Sequence, residues 1–146
     1  MVIYVYDYKN KLLKKRGITH ILKGEELLNN FDVMFYYKNN GECPFLSFLE
    51  SLDIKMRARV LRMVMLLEQN GNELREPYSK SLGDGLFELR LIQGNNISRV
   101  FYFFIVGRKV IITNGFVKKT EKTPPREIAL AKKYRNDYLS RKEIQE

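Results

Sequence analysis

The sequence predicts an α+β domain, an antiparallel sheet with helices packed on one face. Three observations lead there. Apolar residues Met56, Val60, Met63, Val64 and Leu67 recur at helical spacing, with Arg57, Arg59 and Arg62 on other faces. Three runs rich in β-branched and aromatic residues then follow one another, the first two closed by glycine-bearing turns. A capped, proline-led helical stretch ends the chain.

Element by element, residues 1–30 give the weakest pattern: a short strand around Val2–Val5, a basic cluster at Lys11–Arg16 and a short helix near Gly24–Asn30. Phe31–Tyr37 reads as a strand by its aromatic and β-branched content, closed by Asn39-Asn40-Gly41. Pro44 suits the first turn of a helix running to about Leu52. Asp53 can cap the next helix, which Asn70-Gly71 ends. These two form an expected helical hairpin. A loop follows, through Pro77 to Asp84-Gly85. Leu86–Ile92 and Ile97–Val106 are strands joined by Gly94-Asn95-Asn96, and Val110–Val117 is the next, so sequential hairpins imply an antiparallel meander. Thr123 is the expected cap of the last helix, with Pro124 at its first position and its end near Leu139.

Length and composition bound the possibilities. At 146 residues the chain reads as one domain. Its net charge of +9 is unevenly placed. Residues 80–146 carry 14 Lys/Arg against 7 Asp/Glu, a balance of +7, whereas residues 1–79 carry 12 against 10, a balance of +2. A basic half attracts polyanions. The longest apolar run, Val100–Val106, falls far short of the ~18 residues of a span, and the first residues lack a basic leader. A lone cysteine, Cys43, allows no internal disulfide. Together these point to a cytoplasmic protein without a membrane partner.

The candidate chemistry lies between Lys80 and Lys122. By strand parity Glu88 and Arg90 share one face, and Phe87, Leu89 and Leu91 the other. Arg90 and Arg99 lie either side of a hairpin, Lys80 precedes the first of the three strands, and Lys118 and Lys119 leave the third. These cations could converge on one patch that grips a phosphate chain. Each also has a bland reading. Arg90 could form a solvated pair with Glu88, Arg99 could hold a carbonyl or Glu88, and Lys118, Lys119 and Lys122 could keep a sheet edge soluble. Phe101, Tyr102, Phe103 and Phe104 read as core. Phe116, just before the lysines, is open to either a packing or a base-stacking role.

Other chemistries lack their residues. His20, the one histidine, has no Cys or His partner at ligand spacing, so no zinc site is expected. Asp84, Glu88 and Glu121 are too scattered for a two-metal nuclease, and no Walker-type loop occurs. No cofactor is expected. Cys43 lacks an obvious base and reads as structural.

The run Lys80-x-Leu-x-x-Gly-Leu-Phe-Glu-Leu-Arg90, the Arg99-Val-Phe-Tyr segment, Gly115-Phe-Val-Lys-Lys-Thr-x-Lys-Thr-Pro124 and the helix opening at Arg126-Glu127 resemble the phage-derived, HigB-like branch of the RelE/ParE toxin superfamily. The likeness covers roughly residues 32–140. Residues 1–30 then stand as an N-terminal extension and 31–146 as the toxin domain. The resemblance implies a RelE-like, microbial RNase-type fold. It implies a ribosome-dependent mRNA endoribonuclease that enters the 70S A site and cuts translated messages. It implies a HigA-type helix-turn-helix antitoxin as partner, with operator DNA bound only through the toxin–antitoxin complex. By the same resemblance Arg90 takes the place of the family's sheet arginine, Lys118 and Lys119 fall in its C-terminal basic segment, and Lys80 in its basic loop. No histidine follows His20, and Asn114 stands where many relatives carry histidine. The general base is therefore open.

The matching chemistry is attack of a ribose 2′-OH on the adjacent phosphate. Arg90 and Arg99 suit the extra charge on phosphorus, since a guanidinium stays charged and binds two oxygens. Lysines crowded by other cations give up a proton more readily, which makes Lys80 or one of Lys118 and Lys119 the expected base. Phe116 and Lys122 complete the expected RNA contacts. Two other classes compete: a non-catalytic RNA- or ribosome-binding protein using the same face, and a ParE-like toxin of DNA gyrase.

Overall fold

The computed structural model describes residues 30–118 and 122–145. The expectations for residues 1–29, including the basic cluster at Lys11–Arg16, and for Lys119 and Glu121 lie outside them. The chain forms a mixed α+β domain of five strands and three helices, with the order β1 (Asp32–Phe35), α1 (Pro44–Ser51), α2 (Ile54–Asn70), a 3-10 turn (Gly71–Glu73), β2 (Ser79–Gly83), β3 (Leu86–Gln93), β4 (Asn96–Ile105), β5 (Lys109–Lys118) and α3 (Pro125–Gln145).

The two central helices follow local rules. Pro44 opens α1. Asp53 caps α2 by accepting a hydrogen bond from the Met56 amide at 2.8 Å. Arg57, one turn into α2, donates to the carbonyls of Leu49, Glu50 and Leu52 at 2.9–3.2 Å, so the end of α1 is satisfied by a side chain from its successor. Met56, Val60, Val64 and Leu67 form the buried stripe of α2, which ends at Gly71.

The sheet runs β1-β5-β4-β3-β2. Here the structure departs from the sequence reading in three ways. First, the segment read as a loop before Asp84 is strand β2, at one edge of the sheet. Asp84 and Gly85 both have positive φ, 54° and 75°, the geometry of a tight hairpin turn that joins β2 to β3. Second, the sheet is not purely antiparallel. β1 pairs in parallel with β5, from Asp32 opposite Lys109 to Phe35 opposite Ile112. The helices and β2–β4 that lie between them in sequence supply the long crossover that a parallel pair requires.

Third, helices cover both faces. On one, α1 and α2 pack Phe45, Phe48, Leu49, Val60 and Leu67 against Val33, Phe35, Leu89, Val100, Tyr102, Val110 and Ile112. On the other, α3 lays Ile128, Ala131, Tyr134 and Tyr138 over Leu86, Phe101, Phe103 and Ile111. Helix α3 is pinned at two places. Arg135 donates to Asp84 in the β2–β3 turn. Further along, Asp137 accepts from both Tyr36 and Arg141, and Arg141 donates to the Tyr37 carbonyl at 2.8 Å. Burial, then the bond to Asp137, pushes the Tyr36 phenol up to about 12.

Candidate functional site

Antiparallel pairing decides which of the cations meet. Directly opposite residues share a face, as do residues two apart. Lys80 on β2 is opposite Glu88 on β3. Arg90, two residues on, is opposite Arg99 on β4. Arg99 is in turn opposite Phe116 on β5, and Ile97 is opposite Lys118. Lys80, Glu88, Arg90, Arg99, Phe116 and Lys118 therefore occupy the α3 face of the sheet, across four adjacent strands spanning roughly 15 Å at the usual strand spacing. Lys122 is exposed in the short connection between β5 and α3. Lys119 lies outside the described residues.

A bulge shapes this region. The β4–β5 register shifts between Val100 and Tyr102, so Thr113 and Asn114 together face Phe101. Thr113 and Asn114 are both buried, and the Thr113 hydroxyl donates to Asn114 Oδ1 at 2.8 Å. Beyond the bulge, Gly115 faces the other side of the sheet. A Cβ there would lie 2.6 Å from the Phe48 ring and 3.1 Å from the Arg99 carbonyl oxygen, so only glycine lets α1 approach so closely. Phe116 then turns back to the α3 face and stacks on Phe101, with ring centroids 5.6 Å apart. Its packing partner is thus aromatic core, while its residual exposure leaves part of the ring accessible.

The centre of the cluster is Glu88, which is 2% exposed. Its Oε1 lies 3.5 Å from Arg99 Nε and 3.6 Å from Arg90 Nε. Its Oε2 accepts a hydrogen bond from the Thr123 hydroxyl at 2.7 Å. Thr123 was expected to cap the last helix. Instead the Pro124 carbonyl accepts the first helical bonds, from Glu127 and Ile128, and the threonine side chain ties the approach to α3 onto the sheet. The sequence carried a signal for this hub: a lone carboxylate between Phe87 and Leu89, two residues before an arginine on the same face.

Exposure sorts the cations. The Arg90 side chain is 27% exposed and Lys80 is exposed, whereas Arg99 is 5% exposed and Lys118 4%. Arg99 makes both contacts of its structural reading, since it also donates to the Ser98 carbonyl at 3.4 Å. Burial lowers the pKa of the Arg99 guanidinium from its ordinary value; Glu88 opposes that shift and Arg90 adds to it. Four cations against one carboxylate leave this face electropositive. An arriving anion meets Lys80 and Arg90 first, while Arg99 and Lys118 add their field from below, through a medium that screens less than water. Among the described residues no group of three or more His, Cys, Asp or Glu could hold a metal, and no helix is long and apolar enough to cross a membrane.

The family model for "Phage derived protein Gp49-like (DUF891)" matches residues 47–136, well over half of the chain. The chain belongs to this family. The Gp49-like proteins fall broadly among the RelE-type toxins of type II toxin–antitoxin systems. The matched span runs from within α1 to within α3 and takes in the whole cationic row from Lys80 to Lys122. No curated protein matches the chain.

Proposed function

We propose that this Gp49-like protein is the toxin of a type II toxin–antitoxin system, a HigB-like, ribosome-dependent mRNA endoribonuclease with the RelE-like fold. The observation that carries the reading is the electropositive row on one sheet face, held by four strands inside the family match. Family membership supports the class of activity, and the row supplies groups suited to a phosphodiester.

In the reaction, the 2′-oxygen of one nucleotide attacks the adjacent phosphorus, the bond to the 5′-oxygen breaks, and a 2′,3′-cyclic phosphate and a 5′-OH result. Arg90 binds the non-bridging oxygens and stabilises the charge that grows on them. A lysine of the row, Lys80 or one of Lys118 and Lys119, takes the 2′-OH proton, and another cation protonates the departing oxygen. Arg99 contributes its charge from beneath the surface. Phe116 offers a ring edge to a base, and Lys122 a contact to the RNA backbone. The ribosomal A site holds the message in line, which supplies much of the rate through orientation. A HigA-type helix-turn-helix antitoxin neutralises the basic face, binds operator DNA on behalf of the complex, and keeps the toxin silent in the cytoplasm.

The test is induction of the gene with mapping of transcript 5′ ends. Growth should stop, and new ends should appear within translated regions. Arg90→Ala should abolish both while leaving the thermal unfolding curve in place. Salt-sensitive binding to ribosomes without new ends would replace the nuclease with a binding protein. Intact messages with failing DNA supercoiling would point to a gyrase toxin.

A further inference from the structure

We infer that Glu88 is a positioning residue of this site, and that its carboxylate, oriented by Thr123, sets the placement of Arg90 against the scissile phosphate. The inference rests on the nuclease reading above and adds a residue that the reading does not use.

Arg90 and Arg99 are direct cross-strand neighbours. Two like charges in that relation repel, and the repulsion is strongest where water is excluded. Left alone, Arg90 would swing outward into solvent. Glu88 prevents this because it reaches both guanidiniums with one oxygen, approaching each through Nε. An arginine whose ion pair is made on the Nε side, at 3.6 Å here, keeps its outer nitrogens for another partner. No carbonyl or carboxylate among the described residues accepts a hydrogen bond from those nitrogens of Arg90. The fork is thus not occupied by any of these acceptors, and the side chain is 27% exposed.

The second oxygen of Glu88 is also committed, to the Thr123 hydroxyl. With Oε2 bonded to Thr123, Oε1 facing two guanidiniums at ion-pair distance and the residue sealed from solvent, Glu88 is poorly placed to exchange a proton with substrate. Its role is geometric. Thr123 sits just before α3, so the orientation of Arg90 depends on the strand-to-helix connection that also carries Lys122. Misplacing a charge-stabilising group by about 1 Å costs on the order of 10²-fold in rate.

The experiment compares wild type, Glu88→Gln, Thr123→Val, Arg90→Ala and the Glu88→Gln/Arg90→Ala double variant in a translating extract, with message cleavage measured at several pH values and message concentrations. Glutamine keeps the shape and one acceptor oxygen but not the counter-charge of Arg99, so Glu88→Gln should melt at a lower temperature; assayed well below that transition, its kcat should fall on the order of 10²-fold with little change in KM. The pH profile should keep its shape. Thr123→Val should fall in the same direction by a smaller factor. The double variant should be no slower than Arg90→Ala alone, because Glu88 acts through Arg90. Wild-type rates from Glu88→Gln would overturn the inference, and so would a profile that loses its acidic limb, which would make Glu88 the base instead. Absence of cleavage by the wild type overturns the nuclease reading itself, whereas equal cleavage by wild type and Glu88→Gln overturns this inference alone.

Discussion

Removing the Glu88 carboxylate altogether should unsettle the fold as well as the site. Glu88→Ala leaves Arg99, 5% exposed, without its counter-charge and beside the like charge of Arg90. Deleting one partner of a buried pair costs about 3–5 kcal/mol, because the remaining charge stays desolvated. Two features place this case near the lower end. The Nε–Oε1 separations of 3.5 and 3.6 Å exceed ordinary hydrogen-bond lengths, and the half-open Arg90 can recover water. Thr123 also loses its acceptor, worth about 1 kcal/mol for a group that water can reach. The expected loss is about 3–4 kcal/mol, a large share of the ~5–15 kcal/mol of a typical domain. Urea unfolding followed by far-UV circular dichroism measures it as a shift in midpoint at constant slope. Replacing both residues, Glu88→Leu with Arg99→Leu, should recover most of the loss, since an apolar pair needs no counter-charge. A loss below about 1 kcal/mol for Glu88→Ala would refute the claim that the carboxylate holds a desolvated charge.

Other outcomes follow from the same structure. Gly115→Ala should destabilise by about 1–3 kcal/mol, because its Cβ meets the Phe48 ring at 2.6 Å and the Arg99 carbonyl blocks a retreat; an unchanged melting temperature would contradict this. The raised pKa of Tyr36 means that the folded state holds the phenolic proton more tightly than the unfolded state. Its stabilisation is complete below about pH 10 and drains away as pH rises towards about 12, so Tyr36→Phe should flatten the alkaline fall in stability over that window. Tyr102 and Tyr138 are shifted upward by burial as well, so part of the slope should remain. Burial also raises the Cys43 thiol, and iodoacetamide should alkylate it in urea far faster than in the native protein.

How much of this was legible in the sequence depended on whether the determining contacts were local. Helix α2 was readable because its cap, Asp53, and its buried stripe from Met56 to Leu67 lie within one continuous segment. The β3–β4 hairpin was readable from its turn and alternation. Strand β2 was missed because Ser79-Lys80-Ser81-Leu82-Gly83 offers a single large apolar residue; an edge strand needs only one neighbour, and here β3 supplies it. The parallel pairing of β1 with β5 leaves no local trace, since its partners lie 77 positions apart. Helix α3 hides its apolar side, Ile128, Ala131, Tyr134 and Tyr138, among lysines and arginines, which is why both faces of the sheet were not expected to be covered. At the site, strand parity gave the shared face of Glu88 and Arg90, and the β3–β4 hairpin brought Arg99 near Arg90. Parity could not give depth, because the burial of Arg99 and Lys118 is fixed by what crosses above them.

The two faces of the sheet carry different burdens, and this bears on which substitutions can separate activity from folding. The α1–α2 face is apolar along most of its length. The α3 face is divided. At the end near β1 and the β2–β3 turn it is aromatic and aliphatic, built from Phe103, Ile111 and Leu86 beneath α3. Towards the β3–β4 turn it becomes charged, with Arg90, Arg99 and Lys118 among Ile97 and Phe116. A cation at the surface of that charged end can be removed at little cost to the fold, because water replaces what it loses. A cation beneath the surface cannot, because its partners are left desolvated. Lys80 and Arg90 therefore belong to the first kind, and Arg99 and Lys118 to the second. Loss of toxicity on changing Arg99 would mix a misfolded population with a silent site, whereas loss on changing Arg90 reports on the site itself. Reading activity beside unfolding midpoint for Arg90→Ala and Arg99→Ala distinguishes the two, and a common fall in both quantities for Arg90→Ala would mean that the exposed arginine is a structural group after all.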